Sequence, residues 1–277
     1  MKLSLGKIIL ILIVIYFGVF AFINVNKEKE LNKEILEEVT YVTDGVVDSN
    51  NEVKLVLVSG KIKYDELVSF LELDNFGSIK AKRIVEDYVK YKDEDSNEYE
   101  YEWRERTEPL DDSDYLKKIV SVEKSSNVMI GDYKVDEKGM SLIPANRYYS
   151  KQESVYGLIT TGIDYSRDPY EEDLQEGDIR LTYKYYDLEK NPYLSILAVQ
   201  KDNTFIPYKV DEKTSVYEVF VGNINNKAKL EKQLNKNVKS TIKGKILFII
   251  MIAGVGIFLI VDNSKSKNKE NNDKRTI

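Results

Sequence analysis

The chain has no histidine and no cysteine, and only one tryptophan and five prolines in 277 residues. Without His or Cys there is no Ser-His-Asp or Cys-His triad, no thiol nucleophile, no disulfide, and no zinc or haem held through those side chains. Any catalysis falls to carboxylates, Lys, Tyr, Ser or Thr. No G-x-G-x-x-G or Walker A pattern occurs, so no loop of those types cradles a phosphate. No N-x-Ser/Thr site occurs either. The acidic clusters Asp93-Glu94-Asp95, Asp111-Asp112-Ser113-Asp114 and Glu171-Glu172-Asp173 lack the spacing and glycine of a calcium loop, and read as solvated loops. A carboxylate-dependent hydrolase needs two acids held across a cleft. Among 47 acids nothing singles out such a pair. No catalytic, cofactor-binding or metal residue is assigned.

Charge is also missing locally. None occurs from Ile8 to Asn26, a run of about 28 Å as helix against a hydrocarbon core of roughly 30 Å. A second uncharged run, Ile246–Val261, gives about 24 Å and spans if Lys243 and Lys245 snorkel. A buried core helix is the alternative for that run. The first run is alternatively a cleaved signal peptide, with Lys2 and Lys7 ahead of it and Val19-Phe20-Ala21 as the cleavage region. Its continuation past Ala21 to Val25 favours an uncleaved signal anchor. Two spans at the ends make a membrane hairpin, with everything between them on one side.

A short basic start ahead of the first run places that middle region outside the cytoplasm. Lysines at the loop ends (Lys27, Lys29, Lys33 and seven between Lys227 and Lys245) argue the other way, although the charge rule weakens for long loops. The chain divides as 1–26 anchor, 27–226 loop domain, 227–245 basic juxtamembrane helix, 246–261 second span and 262–277 disordered polar tail. Residues 27–226 carry 27 cations and 43 acids. A body of that sign argues against nucleic acid as a partner.

Periodicity sets the fold class. Asn26–Thr43 has helical composition, with Leu31, Ile35 and Val39 at four-residue spacing. Lys54–Gly60 reads as a buried strand and Asp65–Leu73 as a short helix. Ile79–Tyr91 and Tyr99–Arg106 alternate and form a long β-hairpin about a turn at Asp93–Asn97. Its Tyr99/Tyr101/Trp103 stripe reads as a half-buried sheet face, with stacking on sugar or lipid as the lesser alternative. Asp114–Val122 reads as helical and Tyr156–Thr161 as a strand. Ile179–Tyr186, Tyr193–Gln200, Phe205–Val210 and Tyr217–Gly222 read as further strands. The expected fold is α+β, a hairpin-rich β domain with short helices held between an N-terminal and a C-terminal transmembrane helix.

Two sets of residues outside that domain draw attention. In Asn225–Lys245, Leu230, Leu234 and Val238 recur at four-residue spacing with Lys229, Lys232, Lys236 and Lys239 around them. That pattern suits a helix on an anionic membrane surface, a helix docked on the acidic domain, or a plain juxtamembrane anchor. Gly18 and Gly254 each lie eight residues from the loop-side end of their run. Small residues at matched depth are where two spans pack closely.

The order of these segments carries a resemblance. An N-terminal span precedes Asn51-Glu52-Val53-Lys54-Leu55-Val56-Leu57-Val58-Ser59-Gly60, then Ala81–Tyr88 (AKRIVEDY) and Tyr99-Glu100-Tyr101-Glu102-Trp103. Gly177-Asp178-Ile179-Arg180 precedes Ser195–Gln200 (SILAVQ), and a C-terminal span follows. Over roughly residues 8 to 261 this resembles the transmembrane protein 43 (LUMA) family. The resemblance implies a membrane protein with a large non-cytoplasmic loop, acting as an organiser of membrane protein complexes, and brings no catalytic residues. Relatives have several C-terminal spans where this chain has one. The Lys-, Asn- and Ile-rich composition points to a prokaryotic homologue and a cell membrane. The expected function is a membrane-anchored, non-enzymatic scaffold whose partners are the lipid bilayer and membrane proteins or further copies of itself. The alternatives are a membrane-tethered hydrolase and a sensor or accessory subunit.

Overall fold

The computed structural model describes residues 5–43, 45–93, 98–111, 114–167, 174–240 and 243–244. The side chains of most of Ile8–Asn26, and the whole of Ile246–Val261 with Gly254, lie outside them, as do Asp112, Glu171-Glu172-Asp173 and most of the Asp93–Asn97 turn. Among the described residues no helix is long and apolar enough to cross a membrane. The chain forms two compact units, Met1–Val39 with Asn226–Ile277, and Thr40–Asn225.

The described part of the first unit is helical but for Val39 and Asn226. α1 (Leu5–Glu38) is a continuous helix of 34 residues, about 51 Å long. It ends at Glu38, short of the expected Thr43, because Thr40–Val42 is taken into a sheet as a strand parallel to Val56–Val58. Residues 227–240 are helical, started by Asn226, whose side-chain oxygen accepts the Lys229 N–H at 3.0 Å. Ile35, Leu230, Leu234 and Val238 are all buried.

The second unit is mostly β. Its first sheet holds β1 (Thr40–Val42), β2 (Leu55–Tyr64), β6 (Val128–Ile130), β7 (Tyr133–Lys134), β13 (Tyr193–Lys201), β14 (Thr204–Ile206) and β17 (Glu218–Val221). Its second holds β3 (Lys80–Lys92), β4 (Tyr99–Glu105), β5 (Val122–Ser125), β8 (Arg147–Tyr148), β9 (Ser154–Val155), β10 (Leu158–Thr160), β11 (Tyr165–Ser166) and β12 (Ile179–Tyr185). A small ribbon pairs β15 (Tyr208–Lys209) with β16 (Ser215–Val216). Among the described residues it also holds a 3-10 turn at Ser49–Asn51 and two short α-helices, α2 (Tyr115–Lys118) and α3 (Glu137–Leu142), started by Asp114 and Asp136, whose side chains accept first-turn N–H groups.

β2 and β13 form the spine of the first sheet, paired antiparallel from Tyr193↔Lys61 to Val199↔Leu55. Leu55–Val58 and Leu194–Val199 are buried on both faces, which is why both read as near-continuous apolar runs, broken only at Ser195, rather than alternating ones. Their buried hydroxyls are satisfied: Ser59 donates to the Ile224 carbonyl at 2.5 Å and Ser195 to the Gly222 carbonyl at 2.8 Å. The second sheet buries only one face, built on Ala81, Val85, Leu181 and Tyr183 with Phe70, Phe76 and Tyr149 packed against them.

The Asp65–Leu73 segment is not a helix. Val68 makes an antiparallel bridge to Ser78, its N–H donating to the Ser78 carbonyl at 2.8 Å and its carbonyl accepting the Ser78 N–H at 3.1 Å, so its backbone pairs across the chain rather than with carbonyls four residues back. Phe70 and Leu73 are buried and Leu71 is 96% exposed. Burial of Phe70 against the Tyr183 ring, at 5.5 Å, overrides the local helical pattern. Tyr156 likewise leads into β10 as a turn residue with φ 52, and Asp114–Val122 yields one helical turn before β5 starts.

Two backbone positions test this description. A Cβ added to Gly131 (φ +61) would lie 2.3 Å from the Gly45 carbonyl oxygen, a clash with backbone that no side chain can relieve. Gly131→Ala is expected to cost about 3 kcal/mol in denaturant unfolding of the full chain. Val53 is β-branched with φ 57 and 70% exposed. Val53→Asn, which accepts that conformation more readily, should stabilise by about 1 kcal/mol. An unchanged or lower midpoint for Val53→Asn would refute strain at that turn.

Candidate interaction surface

β4 reads Tyr-Glu-Tyr-Glu-Trp-Arg-Glu, so a period of two sends Tyr99, Tyr101, Trp103 and Glu105 to one face and Glu100, Glu102 and Arg104 to the other. Register sets Trp103 opposite Tyr88 and Tyr101 opposite Lys90, while Arg180 of β12 lies opposite Glu86. The alternate positions of β3 and β12 are the core residues Ala81, Val85, Leu181 and Tyr183. The aromatic row is therefore on the face turned away from the core. It is more open than expected, with Tyr99 65% and Tyr101 47% exposed.

The row is a series of ring–ring and ring–cation contacts. Lys90 Nζ sits 4.6 Å from the Tyr99 ring centre and 5.7 Å from that of Tyr101. Tyr101 stacks on Tyr88 at 5.5 Å and Tyr88 meets Trp103 at 5.1 Å. The Arg180 guanidinium lies 4.4 Å over Trp103 while its Nε donates to Glu86 at 2.9 Å. Exposed contacts of these kinds contribute about 0.5–1 kcal/mol each, enough in series to stiffen a hairpin that projects past the core. Each ring contacts a neighbour in the row, while Tyr99 and Tyr101 keep much of their surface open to a partner.

The outer edge of β4 is open. Arg106 N–H donates to the Val85 carbonyl at 2.7 Å and Asp93 N–H to that of Glu98 at 2.9 Å. Alternation from those two pairs directs the backbone groups of Glu100, Glu102 and Arg104 at β3, and those of Tyr99, Tyr101, Trp103 and Glu105 at the free edge. Among the described residues no strand pairs with that edge.

Two buried ion pairs hold β3 beneath this surface. Glu72, its side chain 2% exposed, accepts from Arg83 Nη1 at 2.6 Å and from the Tyr183 hydroxyl at 3.0 Å. Burial disfavours its charge, but the guanidinium and the hydrogen bonds outweigh it and hold the carboxyl below the usual range. The Tyr183 and Tyr156 phenols are pushed far up, first by burial; Glu72 raises both, and a hydrogen bond with Tyr115 raises Tyr156 further. Asp87 receives both Nε and Nη2 of Arg106, whose Nη1 donates to the Leu116 and Ile119 carbonyls.

A cleft of about 440 Å³ opens elsewhere in this unit, walled by Phe76, Tyr149, Tyr185, Tyr186 and Asp187. Most of its buried polar groups are already satisfied: Tyr149 donates to the Asp74 carbonyl, Tyr186 to that of Asn191, and Asp187 accepts the Lys190 N–H.

The residues singled out from the sequence fall elsewhere. Lys229, Lys232, Lys236 and Lys239 are exposed on the 227–240 helix. The Leu230/Leu234/Val238 stripe between them is covered within the protein, so any contact with lipid would rest on the lysine charges. Gly18 lies within α1; Gly254 lies outside the described residues. Among the described residues no group of acids could hold a metal ion.

Fold and surface together define a hairpin-rich α+β domain that presents an open, aromatic sheet edge. Residues 85–265 match the family model described as Transmembrane protein 43, and the chain belongs to that family. No curated protein and no solved structure matches it.

Two outcomes follow from this geometry. Trp103→Ala should speed amide exchange in β4 at least tenfold while shifting the global unfolding midpoint little; equal protection would mean the stack does not stiffen the hairpin. Glu72→Gln should cost about 2 kcal/mol at neutral pH. Because the folded pKa of Glu72 is depressed, its contribution is complete above the unfolded value of about 4.3 and disappears as pH falls through the folded value. The gap between Glu72→Gln and the unsubstituted chain should therefore close on acidification, and a gap that persists at pH 2 would rule this linkage out.

Proposed function

We propose that the protein is a membrane-anchored, non-enzymatic scaffold that organises a membrane complex through the β3–β4 hairpin. The observation that carries this reading is the open β4 edge beside an exposed Tyr/Trp/Arg stack. Tyr, Trp and Arg are the side chains that dominate binding energy at protein interfaces, and an unpaired strand edge is a template for strand addition. The charges around the stack are taken up in pairs, Arg180 with Glu86 and Lys82 with Glu105, which suits recognition more than acid–base chemistry.

Anchoring rests on Ile8–Asn26 and Ile246–Val261 as two spans. The continuous backbone of α1 through the first run supports it, and so does the description of the family as a transmembrane protein. In this reading residues 27–245 lie outside the cytoplasm of a prokaryotic cell. The chain has no native cysteine, so Asn203→Cys is a clean reporter: it should react with an impermeant maleimide in intact cells, and labelling only after permeabilisation would reverse the topology. For the scaffold role, a photo-crosslinking residue at Tyr101 of the full chain in its membrane should give a discrete adduct absent at Leu71, which is 96% exposed and off the hairpin. Identical patterns from both sites, or none, would refute an interaction surface at β4.

A further inference from the structure

We infer that β4 pairs antiparallel with β4 of a second copy of this chain, about a two-fold axis at Glu102; this rests on the interaction reading above and names its partner. The backbone groups left open at Tyr99, Tyr101, Trp103 and Glu105 are spaced for an antiparallel ladder, and a strand pairing with its own copy must do so reciprocally. With Glu102 on the axis the whole of Tyr99–Glu105 is used. Tyr101 then lies opposite the partner's Trp103, and Tyr99 opposite the partner's Glu105. On the other face Glu100 meets the partner's Arg104, twice by symmetry.

Neighbouring registers are poorer. Moving the axis to Tyr101 sets Glu100 against the partner's Glu102 twice, and like charges directly opposite are destabilising. Moving it to Trp103 sets Glu102 against the partner's Arg104, but drops Tyr99 from the strand pair and sets Glu100 against the partner's Arg106, whose buried guanidinium is already held by Asp87. The Glu102 register has one unfavourable element, the two Glu102 side chains at the axis. These are 45% exposed and each can turn to its own Arg104, at 2.7 Å. The result is one continuous sheet, in which the Lys90–Tyr101–Tyr88–Trp103–Arg180 row of each copy runs into that of the other.

Register is directly testable in the cysteine-free full-length chain in detergent or membranes. Glu102 on the axis is a non-hydrogen-bonded pair, with Cα atoms about 4.5 Å apart, inside the disulfide range of about 4.4–6.8 Å. Glu102→Cys alone should give a disulfide-linked dimer on mild oxidation. Glu100→Cys alone and Arg104→Cys alone should not, because the matching positions are displaced by four residues, about 13 Å. A mixture of those two variants should link. In sedimentation, Glu102→Gln should tighten the dimer about two- to fivefold by removing the like charges. Linkage of Glu100→Cys to itself, linkage of a Glu102→Cys and Arg104→Cys mixture in place of Glu102→Cys alone, or no linkage anywhere would overturn the self-pairing. If the Tyr101 photo-adduct then has a mass other than twice that of the chain, the interaction surface stands and its partner is a different protein. A missing adduct would remove both.

Discussion

The second sheet depends on the register of β3. That strand pairs with β12 along one edge and with both β4 and β5 along the other, so an error in its placement is passed to every neighbour. Its inner face alternates small or apolar residues with charges: Ala81, Arg83, Val85, Asp87. A slip of one residue would turn Arg83 and Asp87 away from Glu72 and Arg106. Those partners, with side chains 2% and 4% exposed, would be left buried and unpaired, at a cost of several kcal/mol each. The pairs also satisfy neighbouring groups, since Arg83 donates to the Val120 carbonyl, Arg106 to those of Leu116 and Ile119, and the Tyr183 hydroxyl to Glu72; together these bonds fix the registration of β3.

How much of this could be read from the sequence depended on whether local pattern decides the structure. β2 and β13 were legible because burial on both faces leaves an apolar run that needs no distant information. The β3–β4 hairpin was legible from its period of two. The side of β4 that faces the core was not, since it is set by β12, about eighty residues further on. The helix expected at Asp65–Leu73 failed for a similar reason, because Phe70 and Leu73 answer to a core formed by Tyr183 and its neighbours rather than to one another. The Glu72 hub was illegible: its partners Arg83 and Tyr183 are 11 and 111 residues away, and one glutamate among 47 acids carries no local signature.

The surface proposed for binding was half visible. Tyr99, Tyr101 and Trp103 stood out as a stripe, but alternation is the same whether a stripe faces core or solvent. The structure decides by giving the core to the other face. It also shows rings already in contact with Lys90, Arg180 and each other. What sequence could not supply is that the β4 edge stays open, a property of the sheet as a whole.

An open edge is ordinarily a hazard, because any extended chain can add to it. β4 limits that hazard with Glu100, Glu102 and Arg104, which reject strands of the wrong charge order. A seven-residue edge offers a handful of backbone bonds at about 1 kcal/mol each, comparable to the roughly 4–15 kcal/mol lost in bringing two bodies together. In dilute solution such a contact is weak. The anchoring proposed above would change the comparison without adding a contact, since confinement in one membrane raises the effective concentration of each edge at the other towards the millimolar range. In the proposed reading anchor and edge are parts of one device, with the spans supplying proximity and the charge order supplying selectivity.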